Sequence, residues 1–448
     1  MALSGIQIYK LLPQTNCKDC GFPTCLAFAM KLAAKQVELT ACPHVTEAAK
    51  SQLAESAAPP IRLVTLKANG NSIKAGNETV LFRHEKTFFN KPGLFIRVKD
   101  DLSLDEIKAK VAPAEAFKVN YVGIDLTVDG FAVESVTGDP GAFSRAVSAV
   151  RETTHRPLIL ISRDPAVISA GLQAIDGENP LIYTADAGNW EAMATLAKQH
   201  QAALAVTADS LEALADLTEK IKAKGVEDLV LDPGGRDFAT RLIRSTQIRR
   251  LALKKNFRPL GYPLIAFPGD AGDKESMLAV QAIAKYAGFI VLDSADPELL
   301  YPLLVIRQNI YTDPQKPIQV QPGLYEINNP KPSDPVLVTT NFSITYFSVA
   351  NEVESSGQPA WLLVTDAEGM SVLTAWAAGK FDAERIAKDV KGFGVADKVS
   401  HKRLVIPGHV AVLSGELEEE LPGWEIRVGP REAVDLPRFM KEVLQPNP

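Results

Sequence analysis

All cysteines of the chain lie close together near its N-terminus, as Cys17, Cys20, Cys25 and Cys42. Their spacing is C-x2-C-x4-C, followed by a fourth cysteine 17 residues later that precedes a proline. Thiolates are the ligands that iron–sulfur clusters require and that zinc also accepts. The segment therefore predicts one inorganic site with four thiolate ligands.

Two kinds of centre fit this set. Structural zinc is usually held by two C-x2-C pairs, whereas this segment has one such pair. Gly21 and Pro23 favour a tight loop around a cluster, so [4Fe-4S] is the preferred interpretation and zinc stays open. Disulfides are disfavoured, because the opening MALSGIQIYKLL lacks the features of a secretory signal. We expect a reducing, cytoplasmic compartment.

The elements that must position the thiolates are two predicted helices, at 5–12 and 24–36. In the second, Cys25, Phe28, Ala29 and Leu32 recur at helical spacing, which places a ligand on the apolar face. A module of this size has too small a core to fold securely alone, so the metal should contribute to its stability.

The length and net charge of the chain limit its number of domains and the classes of partner that it can bind. Its 448 residues predict two to four domains. The net charge of −6 and the lack of a basic, aromatic-rich cluster argue against nucleic acid as a partner. No apolar run is long enough to span a bilayer, so no membrane insertion is expected.

Proline-rich stretches at 57–60 and 313–335 predict extended connections. The resulting division is 1–57, 58–320 and 321–448.

The middle domain alternates apolar strands with helical segments, which is typical of a parallel sheet. Eight strands over this length predict a closed (β/α)8 TIM barrel, preceded by a hairpin at 61–92. The eight runs are LFIRV (94), YVGIDL (121), PLILIS (157), LIYTA (181), ALAVTA (203), DLVLD (228), PLIAF (263) and FIVLD (289).

Polar residues at the ends of these strands could carry chemistry at the barrel rim. They are Asp125, Ser162, Asp186, Thr207, Asp209, Asp232, Asp270 and Asp293. Capping of the following helices explains each of them better. The turn Asp232–Gly235 before Arg236 could hold an anion, but a plain loop is the preferred interpretation.

The last domain continues as an open α/β fold of the Rossmann or flavodoxin-like type, with strands VLVTT (336), WLLVT (361), RLVIPG (403) and WEIRVG (424). Ligands of such sheets bind beyond the carboxyl ends of the strands. Small residues at these ends would let the backbone approach a broad flat ligand. Packing of helices on the sheet explains the same pattern equally well.

This order of modules resembles the large (gamma) subunits of the corrinoid iron–sulfur proteins of the reductive acetyl-CoA pathway. The segment LLPQTNCKDCGFPTCLAFAMKLAAKQVELTACPHV carries the resemblance most specifically, and the similarity extends over the whole chain. It implies an α/β protein with a small helical [4Fe-4S] module, a central TIM barrel and a corrinoid-binding C-terminal domain. It also implies that the four cysteines ligate the cluster.

The resemblance further implies a cobamide held by residues of the last domain. These are Thr340, Tyr346, Gly369, Met370, Ser371, Val372, Leu373, Thr374, Gly408, Leu413, Gly429 and Ala433. Many cobalamin proteins supply a histidine to cobalt from a D-x-H-x-x-G motif, and neither His401 nor His409 has that context. A base-off cobamide without an axial histidine is therefore expected, which would bring the Co(II)/Co(I) potential toward that of the cluster.

The function so implied is that of a methyl carrier. A methyltetrahydrofolate:corrinoid methyltransferase would load the cobamide as methyl–Co(III), CO dehydrogenase/acetyl-CoA synthase would receive the methyl group, and the cluster would reduce inactive Co(II) to Co(I). The small (delta) subunit is the expected heterodimer partner. The chain would act as a component of this chemistry rather than as an enzyme alone, and no catalytic residue is assigned.

Two other functions stay open at this point. The chain could be an iron–sulfur electron-transfer adaptor without a corrinoid. Alternatively, the barrel could act directly on a pterin or small acid, although no clear polar set for a pterin is evident in its sequence.

Overall fold

The structure is a computed structural model that describes residues 5–33, 36–46, 49–50, 53, 59–313 and 318–444. Contacts divide the chain into two compact units, Met1–Phe117 with Thr127–Tyr311, and Lys118–Leu126 with Thr312–Pro448. The domain boundaries expected from sequence stay a prediction, and the one at 57/58 lies outside the described residues, as do Pro314 and Pro317 of the second proline-rich stretch.

The first unit begins with two helices, α1 (Gly5–Tyr9) and α2 (Cys25–Ala33). Both were predicted, although α1 ends earlier than expected and residues 34–35 lie outside the described part. One face of α2 is buried through Cys25, Phe28 and Ala29, as its periodicity predicts. These side chains share a small core with Ile8 and Leu12.

The barrel of the first unit is closed and parallel, which confirms the predicted TIM-type fold. Its strands are β3 (Gly93–Lys99), β6 (Gly130–Glu134), β7 (Leu158–Ile161), β8 (Leu181–Ala185), β9 (Ala203–Thr207), β10 (Leu229–Asp232), β11 (Leu264–Ala266) and β12 (Ala287–Leu292). They pair in the order β3-β6-β7-β8-β9-β10-β11-β12 and back to β3. The helices are α3 (Leu104–Ala116), α4 (Pro140–Thr153), α5 (Pro165–Ala174), α6 (Trp190–Gln199), α7 (Leu211–Ala223), α8 (Phe238–Lys255), α9 (Glu275–Ala284) and α10 (Pro297–Ile310).

The barrel interior is filled by apolar side chains, so it is a core and not a channel. Phe95 and Phe289 meet edge to face, with ring centroids 6.1 Å apart. The predicted lead-in hairpin is present as β1 (Val64–Ala68) and β2 (Asn71–Ala75). Leu66 and Ile73 of this hairpin belong to the same buried cluster as the two phenylalanines.

One predicted barrel strand, YVGIDL at 121, is wrong. Its residues form an antiparallel hairpin, β4 (Val119–Tyr121) and β5 (Ile124–Leu126), which belongs to the second unit. The chain reverses because Val122 and Gly123 both have positive φ, 50° and 78°, as a two-residue hairpin loop requires. The barrel strand is instead β6, which follows this hairpin along the chain.

This correction also moves Asp125 away from the barrel rim. It is exposed on the hairpin, where its carboxylate lies 2.6 Å from the ammonium group of Lys118. The hairpin turn is itself buried, because Val122 packs with Val320 and Leu337 in a core of the second unit.

The second unit is built on a five-stranded sheet in the order β13-β15-β14-β16-β17. The four predicted parallel strands are present, and β13, an unpredicted antiparallel edge strand, lies within the proline-rich stretch at 313–335. The strands are β13 (Gly323–Ile327), β14 (Val336–Thr340), β15 (Ala360–Thr365), β16 (Arg403–Ile406) and β17 (Glu425–Val428). The helices are α11 (Ser343–Ser355), α12 (Val372–Ala377), α13 (Ala383–Gly392), α14 (Val395–Lys398), α15 (Ser414–Glu420) and α16 (Leu436–Phe439).

Among the described residues, helices that combine the length and the apolar character needed to cross a bilayer are absent.

The hairpin turn gives a stability prediction. A methyl group added at Gly123 would collide with the hydroxyl of Tyr325, whereas one added at Gly357, which also has positive φ and lies in the same unit, would meet no atom within 4 Å. Both substitutions to alanine carry a left-handed backbone cost of about 1–2 kcal/mol. Only Gly123→Ala adds a steric cost, so we expect the larger loss of unfolding free energy for this variant.

Denaturant unfolding monitored by tryptophan fluorescence measures the difference, because Trp361, Trp376 and Trp424 lie in the second unit and only Trp190 lies in the barrel. Equal losses for the two variants would argue against a packed hairpin.

Candidate functional site

The four predicted metal ligands lie in the first unit, with Cys17 and Cys20 in the loop before α2, Cys25 at the start of α2 and Cys42 after a short 3-10 turn at Leu39–Ala41. Among the described residues, the group whose ligand atoms all lie within 4.8 Å of one another is Cys17 with Asp19 and His44, and it does not include the other three sulfurs. All four thiols are free; Cys25 and Cys42 are buried, Cys20 is half-buried and Cys17 is exposed. Cys20, Cys25 and Cys42 share the core of this module with Phe28. Burial of the thiols among apolar side chains fits a metal centre shielded on one side.

The backbone of the loop before α2 is rich in left-handed residues. Four residues between 14 and 21 have positive φ: Gln14 (59°), Asn16 (50°), Lys18 (74°) and Gly21 (81°). Alternation of left-handed residues turns successive N–H groups inward, a pattern found at phosphate and iron–sulfur sites. Three of the four are not glycine, so this conformation is retained at some energetic cost.

Asn16 joins the loop to the helix that carries Cys25. Its side-chain oxygen accepts a hydrogen bond of 2.8 Å from the N–H of Cys25. Its own N–H donates to the sulfur of Cys25 at 3.4 Å. Hydrogen bonds to ligand sulfur are one of the means by which proteins set the potential of a cluster.

Sequence reasoning missed a polar pair beside this loop. The imidazole of His44 lies 2.6 Å from the carboxylate of Asp19, and their ligand atoms lie within 4.8 Å of the sulfur of Cys17. The three groups are exposed and could form part of a mixed zinc site, so zinc remains an alternative on geometry alone. The sequence did contain a clue to this pair, because Asp19 lies two residues after Cys17 and His44 lies two residues after Cys42.

A crevice opens in the second unit at the carboxyl ends of β14 and β16. The chain leaves the central strand β14 toward β15 and then returns to its other side as β16, which makes this the switch point of the sheet. The crevice has a volume of about 310 Å³, within the usual range for small-molecule pockets of roughly 300–1,000 Å³.

Five of the twelve predicted corrinoid contacts line this crevice. They are Ser371, Val372, Leu373, Gly429 and Ala433. They come from the start of α12 and from the segment after β17, which the parallel sheet brings to one edge.

Four more predicted contacts lie next to these lining residues. Gly369 and Met370 form the turn that leads into α12, and the Thr374 hydroxyl lies 3.0 Å from that of Ser371. The N–H of Gly408 donates to the carbonyl of Pro430 at 3.0 Å. A side chain at Gly408 would contact the carbonyl oxygen of Gly429 at 2.5 Å, so glycine is needed for this close approach.

The remaining three predicted contacts are not among the residues that line the crevice. Leu413 is part of the apolar core of the unit. Tyr346 packs its ring against Tyr325, 5.3 Å away, while its neighbour Thr345 lines the crevice. Burial raises the pKa of Tyr346. Thr340 is fully buried at the end of β14.

Two threonines at the end of β14 indicate whether the crevice suits a ligand with polar groups. Thr339 and Thr340 are completely buried, and neither side-chain hydroxyl has a hydrogen-bond partner. Thr339 also lines the crevice. An unpaired buried hydroxyl costs roughly 1–3 kcal/mol, so a bound group that hydrogen-bonds to it would recover this energy. The crevice therefore fits a ligand with polar groups.

The rim of the crevice is apolar and exposed. Ile344 of α11 and Leu373 of α12 line the crevice and expose 66% and 45% of their surface. Val434, next to the lining residue Ala433, exposes 67%. Large aliphatic side chains at this density fit a broad apolar ring or a protein partner that covers it.

His409, which the sequence analysis set aside as a cobalt ligand, lines the crevice. Its Nε2 lies 3.8 Å from a carboxylate oxygen of Glu432. His401 is remote from the crevice lining; its Nε2 contacts the carbonyl oxygen of Asp334 at 2.9 Å.

At the barrel rim, which is the other candidate site, charged side chains of the barrel form ion pairs with one another. Arg97 is buried and contacts Asp293 at 2.5 Å, Asp270 at 2.6 Å and Glu134 at 3.4 Å. Burial alone would lower the pKa of Arg97, but its hydrogen bonds to Asp293 and Asp270 raise it above the usual value. Burial raises the pKa of Glu134.

A second arginine completes this network. Arg236 contacts Asp232 at 3.0 Å, Asp270 at 3.3 Å and the hydroxyl of Tyr183 at 3.1 Å. In the predicted anion-binding turn, the N–H of Gly234 donates to Asp232 at 2.9 Å. Arg97, Arg236 and their carboxylates therefore pair with one another, whereas both terminal nitrogens of the buried Arg241, next to this turn, have no hydrogen-bond partner.

The expected capping by the other rim residues is wrong, because the N-cap residues of the helices after β7, β8 and β9 are Asp164, Asn189 and Ser210. Ser162 and Asp186 accept hydrogen bonds from backbone N–H groups two residues further on. Thr207 ends β9, and the carbonyl of Asp209 accepts a hydrogen bond from Arg244.

The segments that contain the candidate sites and the barrel all match known proteins. A family model described as the CO dehydrogenase/acetyl-CoA synthase delta subunit matches residues 63–440, and a model for an Fe–S cluster matches residues 12–44. Among solved structures, dihydropteroate synthase from Thermus thermophilus aligns with 55% of this chain and 100% of its own, with 16% identity and a TM-score of 0.37.

Two relatives match almost from end to end. The corrinoid/iron-sulfur protein large subunit of Moorella thermoacetica is 47% identical over 442 residues, which are 98% of this chain and 99% of that protein. The acetyl-CoA decarbonylase/synthase complex subunit gamma of Methanopyrus kandleri is 38% identical over 455 residues, 98% of each chain. The chain therefore belongs to the family of corrinoid/iron–sulfur protein large subunits and acetyl-CoA decarbonylase/synthase gamma subunits.

Proposed function

We propose that this chain is a methyl carrier of the acetyl-CoA pathway that holds a [4Fe-4S] cluster and a base-off cobamide. The proposal rests on one observation. The same chain contains four cysteines near its N-terminus and a crevice at the switch point of an open α/β sheet. The names of its full-length relatives, which combine a corrinoid, an iron–sulfur centre and acetyl-CoA chemistry, support the same assignment.

In the first unit, Cys17, Cys20, Cys25 and Cys42 would hold the cluster. Left-handed residues between 14 and 21 would help backbone N–H groups of this loop to face the negative charge of the cluster. Asn16 orients Cys25 through two hydrogen bonds. The exposure of Cys17 leaves one edge of the centre open to an electron donor or acceptor.

In the second unit, the starts of α11 and α12 and the segments after β16 and β17 would bind the cobamide. Aliphatic rim residues would contact the ring, and the hydroxyl of Thr339 would accept or donate a hydrogen bond at its periphery. When bound, the cobamide supplies the cobalt that takes up and releases the methyl group, and the cluster supplies the electron that restores reduced cobalt.

The proposed partners are those expected from the resemblance. They are a small (delta) subunit that forms a heterodimer with this chain, the methyltetrahydrofolate:corrinoid methyltransferase and CO dehydrogenase/acetyl-CoA synthase. The "large subunit" and "complex subunit" in the names of the relatives support the first and the last. The exposed apolar rim of the crevice supplies a surface that such a protein could cover.

The first test is metal analysis of the chain purified without oxygen. We expect iron at a cluster stoichiometry and cobalt near one per chain. The Cys42→Ser variant should lose the cluster and keep the cobalt, which would then stay oxidised because no internal donor reduces it. Iron without cobalt in the unmodified chain would favour the electron-transfer adaptor, and zinc in place of iron would contradict the cluster.

The unpaired hydroxyl of Thr339 gives a second prediction. Thr339→Val removes a buried, unsatisfied group, so it should raise the unfolding free energy of the cofactor-free chain by about 1 kcal/mol. The same variant should weaken cobamide binding. Urea unfolding and equilibrium titration with cob(II)alamin measure the two effects.

Thr365→Val is the matched control. Thr365 is equally buried, but its hydroxyl donates to the carbonyl of Thr339 at 3.3 Å. This control should lower stability. If Thr339→Val also lowered stability and left binding unchanged, its hydroxyl would have no ligand role.

His409 allows a direct test of the base-off assignment. Because the proposal places no protein imidazole on cobalt, the Co(II) electron paramagnetic resonance spectrum should show no nitrogen splitting, and His409→Ala should leave it unchanged. His401→Ala, at the other end of β16, is the control. Nitrogen splitting that disappears only in His409→Ala would overturn this part of the proposal.

A further inference from the structure

Asn341 is the first residue after β14 and is almost completely buried, with 1% of its surface exposed. It follows the two threonines at the crevice, but its side chain is turned toward the loop after β15. Both polar atoms of this side chain have partners, in that loop or in the segment before β13. The residue therefore joins parts of the unit that are distant in sequence.

The side-chain oxygen of Asn341 holds the turn that leads into α12. It accepts hydrogen bonds from the N–H groups of Ala367 at 2.9 Å and Gly369 at 3.0 Å. Between them, Glu368 has a φ of 54°, and Gly369 follows with 73°. Two successive left-handed residues are an unfavourable backbone conformation for a non-glycine residue, which persists only where surrounding contacts enforce it.

The side-chain nitrogen fixes the orientation of the amide. It donates to the carboxylate of Asp366 at 3.1 Å and to the side-chain oxygen of Gln319 at 3.4 Å. The same oxygen of Asp366 also accepts from the N–H of Glu368 at 3.0 Å. An amide is thus required here, because an acceptor and a donor are used at once.

This turn decides where the ligand-facing part of α12 lies. Met370 closes the turn by donating its N–H to the carbonyl of Ala367 at 3.0 Å, and the helix begins immediately afterwards. Ser371 and Leu373 then line the crevice. Asn341 itself does not line it, so any effect on a ligand must pass through the turn.

We propose that Asn341 is the positioning residue of the corrinoid crevice: it sets the 366–371 turn and thereby the start of α12 against the ligand. This inference rests on the proposed function. Residues that orient ligand-binding groups from behind typically change affinity roughly 10- to 100-fold when removed. We expect Asn341→Ala to weaken cobamide binding by about this factor.

Asn328→Ala is the matched control in the full-length chain. Asn328 lies at the opposite end of the sheet, after β13, and donates to the backbone carbonyls of Val353 and Gln358 at 3.1 and 2.9 Å. Its loss should lower stability without changing cobamide affinity. The titration uses cob(II)alamin for all variants.

A rescue variant separates positioning from general destabilisation. Asn341→Asp alone places two carboxylates side by side and should weaken binding. Combining it with Asp366→Asn restores a donor–acceptor pair between the two side chains but removes the acceptor of the Glu368 N–H, so the double variant should recover part of the affinity that Asn341→Asp loses. In the cofactor-free chain, hydrogen exchange of the Ala367 and Gly369 amides should accelerate in Asn341→Ala and stay unchanged in Asn328→Ala.

The outcomes distinguish the positioning role from the proposed function. If the unmodified chain binds cobamide and Asn341→Ala binds it equally well, or if Asn328→Ala weakens binding as much, the positioning role is overturned alone. If the unmodified chain takes up no cobamide, the proposed function is overturned and this inference with it.

Discussion

Parallel pairing of β14 with β15 on one side and β16 on the other is the constraint on which the candidate cofactor site depends. It aligns the carboxyl ends of strands whose residues are far apart in the chain, from Thr340 to Gly429. The helices and loops that follow these strands therefore begin at the same edge of the sheet. A crevice of small and aliphatic residues is the consequence, and its shape depends on the turns that follow each strand.

Both candidate sites contain buried polar groups, but their surroundings differ. At the barrel rim, Arg97 and Arg236 pair with nearby carboxylates, whereas the terminal nitrogens of the buried Arg241 have no hydrogen-bond partner. Thr339 lines the crevice with an unpaired hydroxyl, and the hydroxyl of its neighbour Thr340 is buried and unpaired outside the lining. Since unsatisfied buried groups are costly, a bound molecule that hydrogen-bonds to Thr339 would be stabilised in the crevice.

The course of the chain gives the second unit several covalent connections to the first. Besides the passage near residue 311, the chain enters and leaves the second unit around the hairpin of β4 and β5. The pairing of β13 with β15 places part of the proline-rich stretch within the sheet. The two units are therefore joined by three passages of the chain, near residues 117, 126 and 311.

The sequence by itself determined the predicted ligand set and most of the elements. The spacing from Cys17 to Cys42, the apolar face of α2 and seven of the eight barrel strands depend on local periodicity, which can be read along the chain. The tertiary structure alone decided where YVGIDL belongs, because its turn at Val122 is buried by residues of a distant part of the chain. It also decided that Asn341 holds the turn at Gly369, and that the aspartates of the barrel rim pair with arginines. These outcomes depend on contacts between distant segments, and the partner of a polar or strained residue is fixed only when folding brings those segments together.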